Sequence, residues 1–465
     1  METTLSATDP SGTENTAMPT TLPQPVTRTE RVQTIDLIRG FALLGILLMN
    51  IFFFGLPYMY QATLLTLPPE STDFRTNMVV STIFEGTMRA LFSMLFGAGV
   101  LLFLAKKEVP DSPYTVADFY YRRVLWLVVF GLFNAFILLW PGDILYAYGL
   151  CGLFLFPFRQ LRPTGLVIAA FVCIAVLFGK DVMKALETKA NREGYLKAVQ
   201  LEKQKKTLTD EQKQAKEAWQ ATEKRTKPDK KQEDEFIKKM RSDYGTIFLT
   251  LQPFNVKFES TEFYQSLFWD ALAMMFLGMA LFKLGFFSNQ FSTRTYALTL
   301  LAGYGLGLTL GYLAFLDAVA WHQNPGKVVD SGSFSFQALY QIRRALTAVG
   351  HASLLLLVYR SGVVPWLMKA LANVGQMAFT NYLMQSIICT LIFYGYGLGY
   401  YGRLAYHQLF YVVAGVWLFQ ILFSAVWLQY FRFGPFEWLW RSLTYWKRQP
   451  MRLRPAQTSL PEAAA

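Results

Sequence analysis

Ten apolar stretches recur along this chain, each near the roughly 20 residues needed to cross a bilayer. They run 36–57, 79–105, 122–140, 143–159, 163–180, 263–285, 295–317, 337–360, 372–398 and 406–431. In lipid no water satisfies the backbone, so each stretch must satisfy its own polar groups as a helix. The expected fold is therefore all-α: a polytopic membrane helix bundle of about ten transmembrane helices. The chain is 53% hydrophobic and only 16% charged, against about 25% charged in soluble globular chains. Those values exclude an ordinary soluble enzyme, a disordered chain and a nucleic-acid-binding domain. The lipid bilayer is the expected partner.

The charge is concentrated in one place. Residues 180–243 hold 18 Lys/Arg and 13 Asp/Glu, leaving 26 and 19 for the other 401 residues. Ala, Glu, Lys and Gln dominate this segment, which reads as a charged helical insertion interrupted at Gly194 and Pro228. Pairs such as Glu193–Lys197 and Glu202–Lys206 support helix at i,i+4 spacing. If the N-terminus is cytoplasmic, alternation puts Arg28, Arg31, Lys106, Lys107, Arg159, Arg162, Arg294, Arg360 and Lys369 inside. Arg432, Arg441, Lys447, Arg448, Arg452 and Arg454 join them, and the short outer loops keep only Arg75, Lys327 and Arg403. This asymmetry predicts a bacterial cytoplasmic membrane protein with both termini cytoplasmic and the insertion outside. The organisation is then a disordered tail (1–27), an N-terminal half (28–179), the insertion with an interfacial segment (180–262), a C-terminal half (263–446) and a disordered basic tail (447–465). The segment FRFGPFEWLWRSLTYW, with Glu437 and Arg441, has the aromatic character of an interfacial helix under the bundle. Cys151, Cys173 and Cys389 lie in apolar runs and suggest neither a disulfide framework nor a metal site.

A charge inside a span is costly unless paired or hydrated, so each one is a functional candidate. The first span opens DLIRG. Asp36 and Arg39 are one turn apart, and Asn50, eleven residues beyond Arg39, returns to the same face. The third span repeats the spacing with Arg123 and Asn134, next to Arg122. In the outer halves, Glu85 and Arg89 are spaced for an i,i+4 pair. Asp270 has the depth of Arg343 and Arg344, Arg344 shares a face with His351, and Asp143 caps the outer hairpin. These groups either tie the bundle together as salt bridges or line a hydrated outer cavity. In the ninth span, Asn373, Gln376, Thr380, Asn381 and Gln385 form a polar seam of the kind that joins helices. Phe-Gly-Ala-Gly at 96–99 permits close helix packing. No phosphate loop, HExxH or GxSxG occurs.

Several stretches together resemble one family. RVQTIDLIRGFALLGILLMNIFFFGLP, RALFSMLFGAG, LLWPGDILYAYGLCGL, NVGQMAFTNYLMQSIICTLIFYGYGLG and FRFGPFEWLWRSLT are similar to the YeiB-like bacterial membrane proteins carrying domain of unknown function 418. The resemblance spans about residues 28–446 apart from the insertion. The DxxRG opening, with an Asn eleven residues after its Arg, also resembles transmembrane acyltransferases of the heparan-glucosaminide N-acetyltransferase type. That wider resemblance implies transfer of an acyl group from cytoplasmic acyl-CoA, a co-substrate and not a permanently bound cofactor, to an acceptor small molecule of the envelope. It implies Arg39 with Arg122 or Arg123 at the CoA phosphates and a pantetheine arm reaching toward Asn50. Where a His often precedes GDIL in the family, this chain has Asn134, which cannot act as a base. Asp143, Asp270, Glu85 and His351 remain as candidates. Two other functions suit the same residues: a small-molecule transporter or exporter, and a non-catalytic membrane protein whose charged arm binds a partner. A homo-oligomer is compatible with each.

Overall fold

The computed structural model describes residues 32–105 and 114–453. The 1–27 tail, Arg28, Arg31, Lys106, Lys107 and Arg454 lie outside the described residues. The architecture is a helical membrane bundle with no strand among the described residues. Seven helical stretches are long and apolar enough to cross a membrane: 33–55, 72–104, 163–203, 244–283, 293–323, 336–361 and 406–430.

Helix α1 (Gln33–Gly55) is the axis of the bundle and is buried over most of its length. A short α2 (Tyr60–Thr66) leads to α3 (Thr72–Ile83) and α4 (Thr87–Leu104). These last two form one traverse broken at Gly86, whose φ of +72° is open to glycine but strained for other residues. α5 (Val116–Phe136) is less apolar because it carries Arg122, Arg123 and Asn134. The expected span 143–159 is instead a short buried α6 (Leu145–Leu155) continued by a 3-10 turn, Phe156–Gln160. Eleven α-helical residues rise only about 16 Å, so α6 relies on its neighbours to cover it.

Helix α7 (Pro163–Lys203) corrects the reading of the insertion. It runs unbroken for 41 residues through Gly194, about 61 Å, and carries the chain well beyond the bilayer core. α8 (Asp210–Thr226) folds back on it, and α9 (Lys230–Met240) follows the break at Pro228. This arm is anchored at the far end of the bundle. Thr63 donates to Glu233 at 2.9 Å, Gly395 N to Met240 O at 3.0 Å, and Arg241 Nε to Tyr401 O at 2.6 Å. Arg192 donates twice to Asp330, at 3.0 and 2.7 Å, which holds that carboxyl below its usual range.

A second correction concerns 244–262, expected to lie along the interface. It is helical and continuous with the next traverse: α10 (Tyr244–Lys257), a π-helical segment (Phe258–Leu267) and α11 (Phe268–Lys283). α12 (Thr293–Gln323), α13 (Pro325–Ser331) and α14 (Tyr340–Ser361) follow. The expected ninth span divides at Met377 into α15 (Pro365–Gln376) and α16 (Ala378–Phe393). α17 (Leu409–Tyr430) returns, and α18 (Pro435–Tyr445) lies across the end where α1 begins. Residues 447–453, expected to be disordered, fold back: Arg432 N donates to Met451 O at 2.9 Å and Leu453 N to Tyr430 O at 3.1 Å.

Candidate active-site cavity and the polar hairpin beside it

At the end of the bundle where α1 begins, a cavity of about 230 Å³ lies between α1, α4, α5, α15, α16 and α18. Arg39, Arg123 and Arg441 all line it. Arg39 bonds Asp36 at 2.7 Å. Arg123 has no carboxylate within ion-pair distance among the described residues. Its guanidinium lies 3.7 Å from the centroid of the Trp440 ring, and its carbonyl accepts from Trp440 Nε1 at 2.9 Å. Stacking uses the face of a guanidinium and leaves its in-plane donors for an anion. Arg441 stacks on Phe433 at 4.4 Å. Along α4 the wall runs from Phe103 through Gly99 and Phe96 to Phe92, eleven residues or about 16 Å. Gly97, two residues from Gly99 and on another face of α4, does what the glycine pattern predicts: a Cβ there would overlap the backbone of Met275, so α4 and α11 pack in close contact.

Beyond the apolar wall, two phenols border the cavity. Tyr148 Oη is 2.5 Å from Ser93 Oγ. Tyr382 Oη accepts from Ile144 N at 3.1 Å and donates to Asp143 Oδ1 at 3.3 Å. Glu437 also lines the cavity and caps α16, accepting from Phe379 N at 2.7 Å and from Thr380 N at 3.0 Å. A carboxylate at a helix N-terminus is favourably placed for both the free N–H groups and the dipole.

Asp143 sits in the turn between α5 and α6, fully buried. It accepts from Asn134 Nδ2 at 2.7 Å and from Tyr146 N at 2.9 Å. The turn is strained: Leu139 has φ +58°, a conformation rarely taken outside glycine. Asn134 thus orients Asp143, and Asp143 reaches the cavity through Tyr382.

The other charges do not meet there. Glu85 and Arg89 do not form the expected i,i+4 pair, because the helix breaks between them at Gly86. Arg89 instead pairs with Asp270 at 3.2 Å, Arg344 also bonds Asp270, and Arg343 pairs with Glu85 at 3.2 Å. None of the five lines the cavity. His351 bonds Tyr304 at 2.8 Å and the Ile83 carbonyl at 3.2 Å. Asn381 bonds Ser424 at 2.9 Å and Gln385 bonds Gln420 at 3.2 Å, so this part of the polar seam joins α16 to α17. Asn50 does not line the cavity, and Arg122 stacks on Tyr114 at 4.4 Å outside it.

The Uncharacterized protein YeiB of Escherichia coli (strain K12) is 32% identical over 89% of this chain and 96% of its own length. The Uncharacterized protein YxaH of Bacillus subtilis (strain 168) is 30% identical over 92% and 98%. The family model described as Protein of unknown function (DUF418) matches residues 281–447. The chain belongs to the DUF418 family. No solved structure matches it significantly. The stretch matched by the DUF418 model supplies Gln376, Tyr382, Glu437, Trp440 and Arg441 to the cavity, while Arg39, Arg123 and Tyr148 come from the half before it.

Sequence reasoning missed Glu259, Tyr382 and Trp440. Glu259 is only 7% exposed, yet it lies in FESTEFYQSL, whose polarity suggests a surface segment. The available signal was its spacing of four from Asn255, which shares its buried face.

Proposed function

We infer that this protein is a membrane acyltransferase that binds an acyl-CoA in the arginine-lined cavity and passes the acyl group to an acceptor from the opposite side. The observation that carries this reading is Arg123: a guanidinium stacked on Trp440, without a carboxylate partner among the described residues, bordering an apolar wall that leads to two phenols. Phosphates suit such a planar donor. Arg39 and Arg441 add positive charge at the same mouth. The wall of about 16 Å fits a pantetheine arm, and the Tyr148 hydroxyl, joined by that of Tyr382 once it turns from Asp143, can donate to the oxygen of a thioester as charge develops on it. The Lys/Arg asymmetry supports a cytoplasmic mouth, which is where acyl-CoA is found. Transport is less well supported, because the buried charges that suggest it pair with one another away from the cavity.

Calorimetric titration of acetyl-CoA into purified protein, at low and high salt, tests the reading. Binding should weaken with salt. Arg123→Ala should lose about 1.5–3 kcal/mol, roughly ten- to a hundredfold in affinity, and Arg123→Lys should recover only part. Absence of binding to the wild type, for acetyl-CoA and longer acyl-CoAs alike, would sink it.

A further inference from the structure

Behind Tyr382 and Asp143, outside the cavity lining, four buried oxygen atoms have no hydrogen-bond donor among the described residues: both carboxyl oxygens of Glu259, Asn134 Oδ1 and Asn255 Oδ1. The amide orientations are set by their other atoms. Asn134 Nδ2 donates to Asp143 at 2.7 Å, and Asn255 Nδ2 donates to Ala135 O at 2.5 Å. Asn134 belongs to the last turn of α5 and Asn255 reaches the carbonyl of the next residue, Ala135, so the two asparagines meet there, and Glu259 lies one turn beyond Asn255. Glu259 interacts electrostatically with Asp143 and pairs with no Lys, Arg or His among the described residues. It belongs to a π-helical segment, a distortion that costs helix stability and recurs at functional sites. Buried polar atoms are normally satisfied, so four orphaned acceptors around one strained turn, with the single orphaned donor Trp140 Nε1 in the turn itself, point to a ligand that supplies mainly donors.

We propose that Glu259, with Asn134 and Asn255, binds the acyl acceptor through its nucleophilic hydroxyl or amino group and takes the proton from it. The position follows from the geometry above; the catalytic role rests on the acyl-transfer reading. The site offers acceptor atoms and two carboxyl groups, so it selects a neutral or amine-bearing nucleophile and rejects one carrying a carboxylate or phosphate beside the reacting group. Asp143 links the two substrates, since it lies beside Glu259 and is hydrogen-bonded to Tyr382 at the cavity. In the reaction the acceptor oxygen or nitrogen attacks the thioester carbonyl carbon, forming a C–O or C–N bond while the C–S bond breaks. The acceptor's proton passes to the Glu259 carboxylate and then to the departing thiolate, giving free CoA thiol. No oxidant or further reactant is needed. Glu259 thus fills the role that Asn134 cannot.

Two measurements on the full-length protein in lipid nanodiscs test this. Dicyclohexylcarbodiimide reacts with carboxyl groups in apolar surroundings through the fraction that carries a proton at equilibrium with the carboxylate, and mass spectrometry locates the adduct. Glu259 should be labelled, and glycerol or ethanolamine should slow that labelling while glycerate does not. No labelling of Glu259, or labelling that glycerol and ethanolamine leave unchanged, overturns the site, whatever acetyl-CoA does. The second measurement follows thiol release from acetyl-CoA with glycerol or ethanolamine as acceptor. Glu259→Gln, which keeps the shape, should retain acetyl-CoA affinity within about twofold and lose transfer by about 10²–10⁴-fold. Glu259→Asp should recover part of it, distinguishing lost chemistry from lost folding. Wild-type turnover by Glu259→Gln overturns the catalytic role. Glycerol protection without any acetyl-CoA binding would retain the acceptor site and remove the acyl-transfer reading.

Discussion

A side chain added at Gly99 would enter the cavity and little else, because no heavy atom lies within 4 Å of where its Cβ would sit. Gly99→Phe should therefore fold, with a midpoint of thermal unfolding close to wild type, since replacing a mid-helix glycine recovers about 0.5–1 kcal/mol of chain entropy. It should also abolish acetyl-CoA binding in the titration above. Retained binding would mean that the ligand lies elsewhere. Asp270 is the opposite kind of residue, fully committed to structure. It bonds Arg344 and Arg89 together, so Asp270→Ala strands two guanidinium groups, whereas Arg344→Ala leaves Asp270 with Arg89. Removing one partner of a buried pair typically costs about 3–5 kcal/mol. Detergent stability should thus fall further for Asp270→Ala than for Arg344→Ala, and the double change should cost less than their sum. Additive effects would refute the pairing. The sequence made Asp270 a partner of Arg343 or Arg344 from depth and sign. It could not choose between them, because adjacent residues of a helix point about 100° apart and only packing decides which one faces α11.

Between elements, the mouth of the cavity depends on how closely α15 approaches α1. A Cβ at Gly375 would overlap the Asp36 carbonyl, and one at Gly40 would overlap that of Leu371. Gly375→Val should push α15 away, lowering stability and weakening acetyl-CoA binding together, since Gln376 and Asp36 line the same mouth. Gly305→Ala on α12, where a Cβ meets open space, is the control and should change neither. The apolar runs made most traverses legible, because a bilayer demands length and hydropathy from each helix alone. Breaks were less legible. Gly86 and Met377 interrupt apolar stretches that read as continuous, and both breaks are fixed by tertiary partners: the ion pairs on either side of Gly86 and the Glu437 cap on α16. Glu259 failed for a similar reason, as its burial comes from α10 and the π segment packing on the Asp143 turn, a contact between residues more than a hundred positions apart.

Across the whole molecule, charge and shape divide the two ends. The arginine-lined cavity, α15 and α18 occupy one, and the arm of α7, α8 and α9 projects from the other. The Lys/Arg asymmetry predicts an orientation for this axis, with the cavity end cytoplasmic, since a long charged segment such as 180–243 can cross regardless of its charge. Acyl transfer as proposed needs the same orientation, since the donor is cytoplasmic. Labelling can test it cleanly, because Cys151, Cys173 and Cys389 are all buried and should stay silent. Glu211 on α8 and Lys447 after α18 are both exposed. Glu211→Cys should react with an impermeant maleimide added to intact cells. Lys447→Cys should react only once the membrane is opened. The reverse pattern would invert the protein, put the arginine mouth outside and leave the cavity without access to acyl-CoA. It would then favour an extracytoplasmic anion as the ligand, even if every helix contact described above were correct.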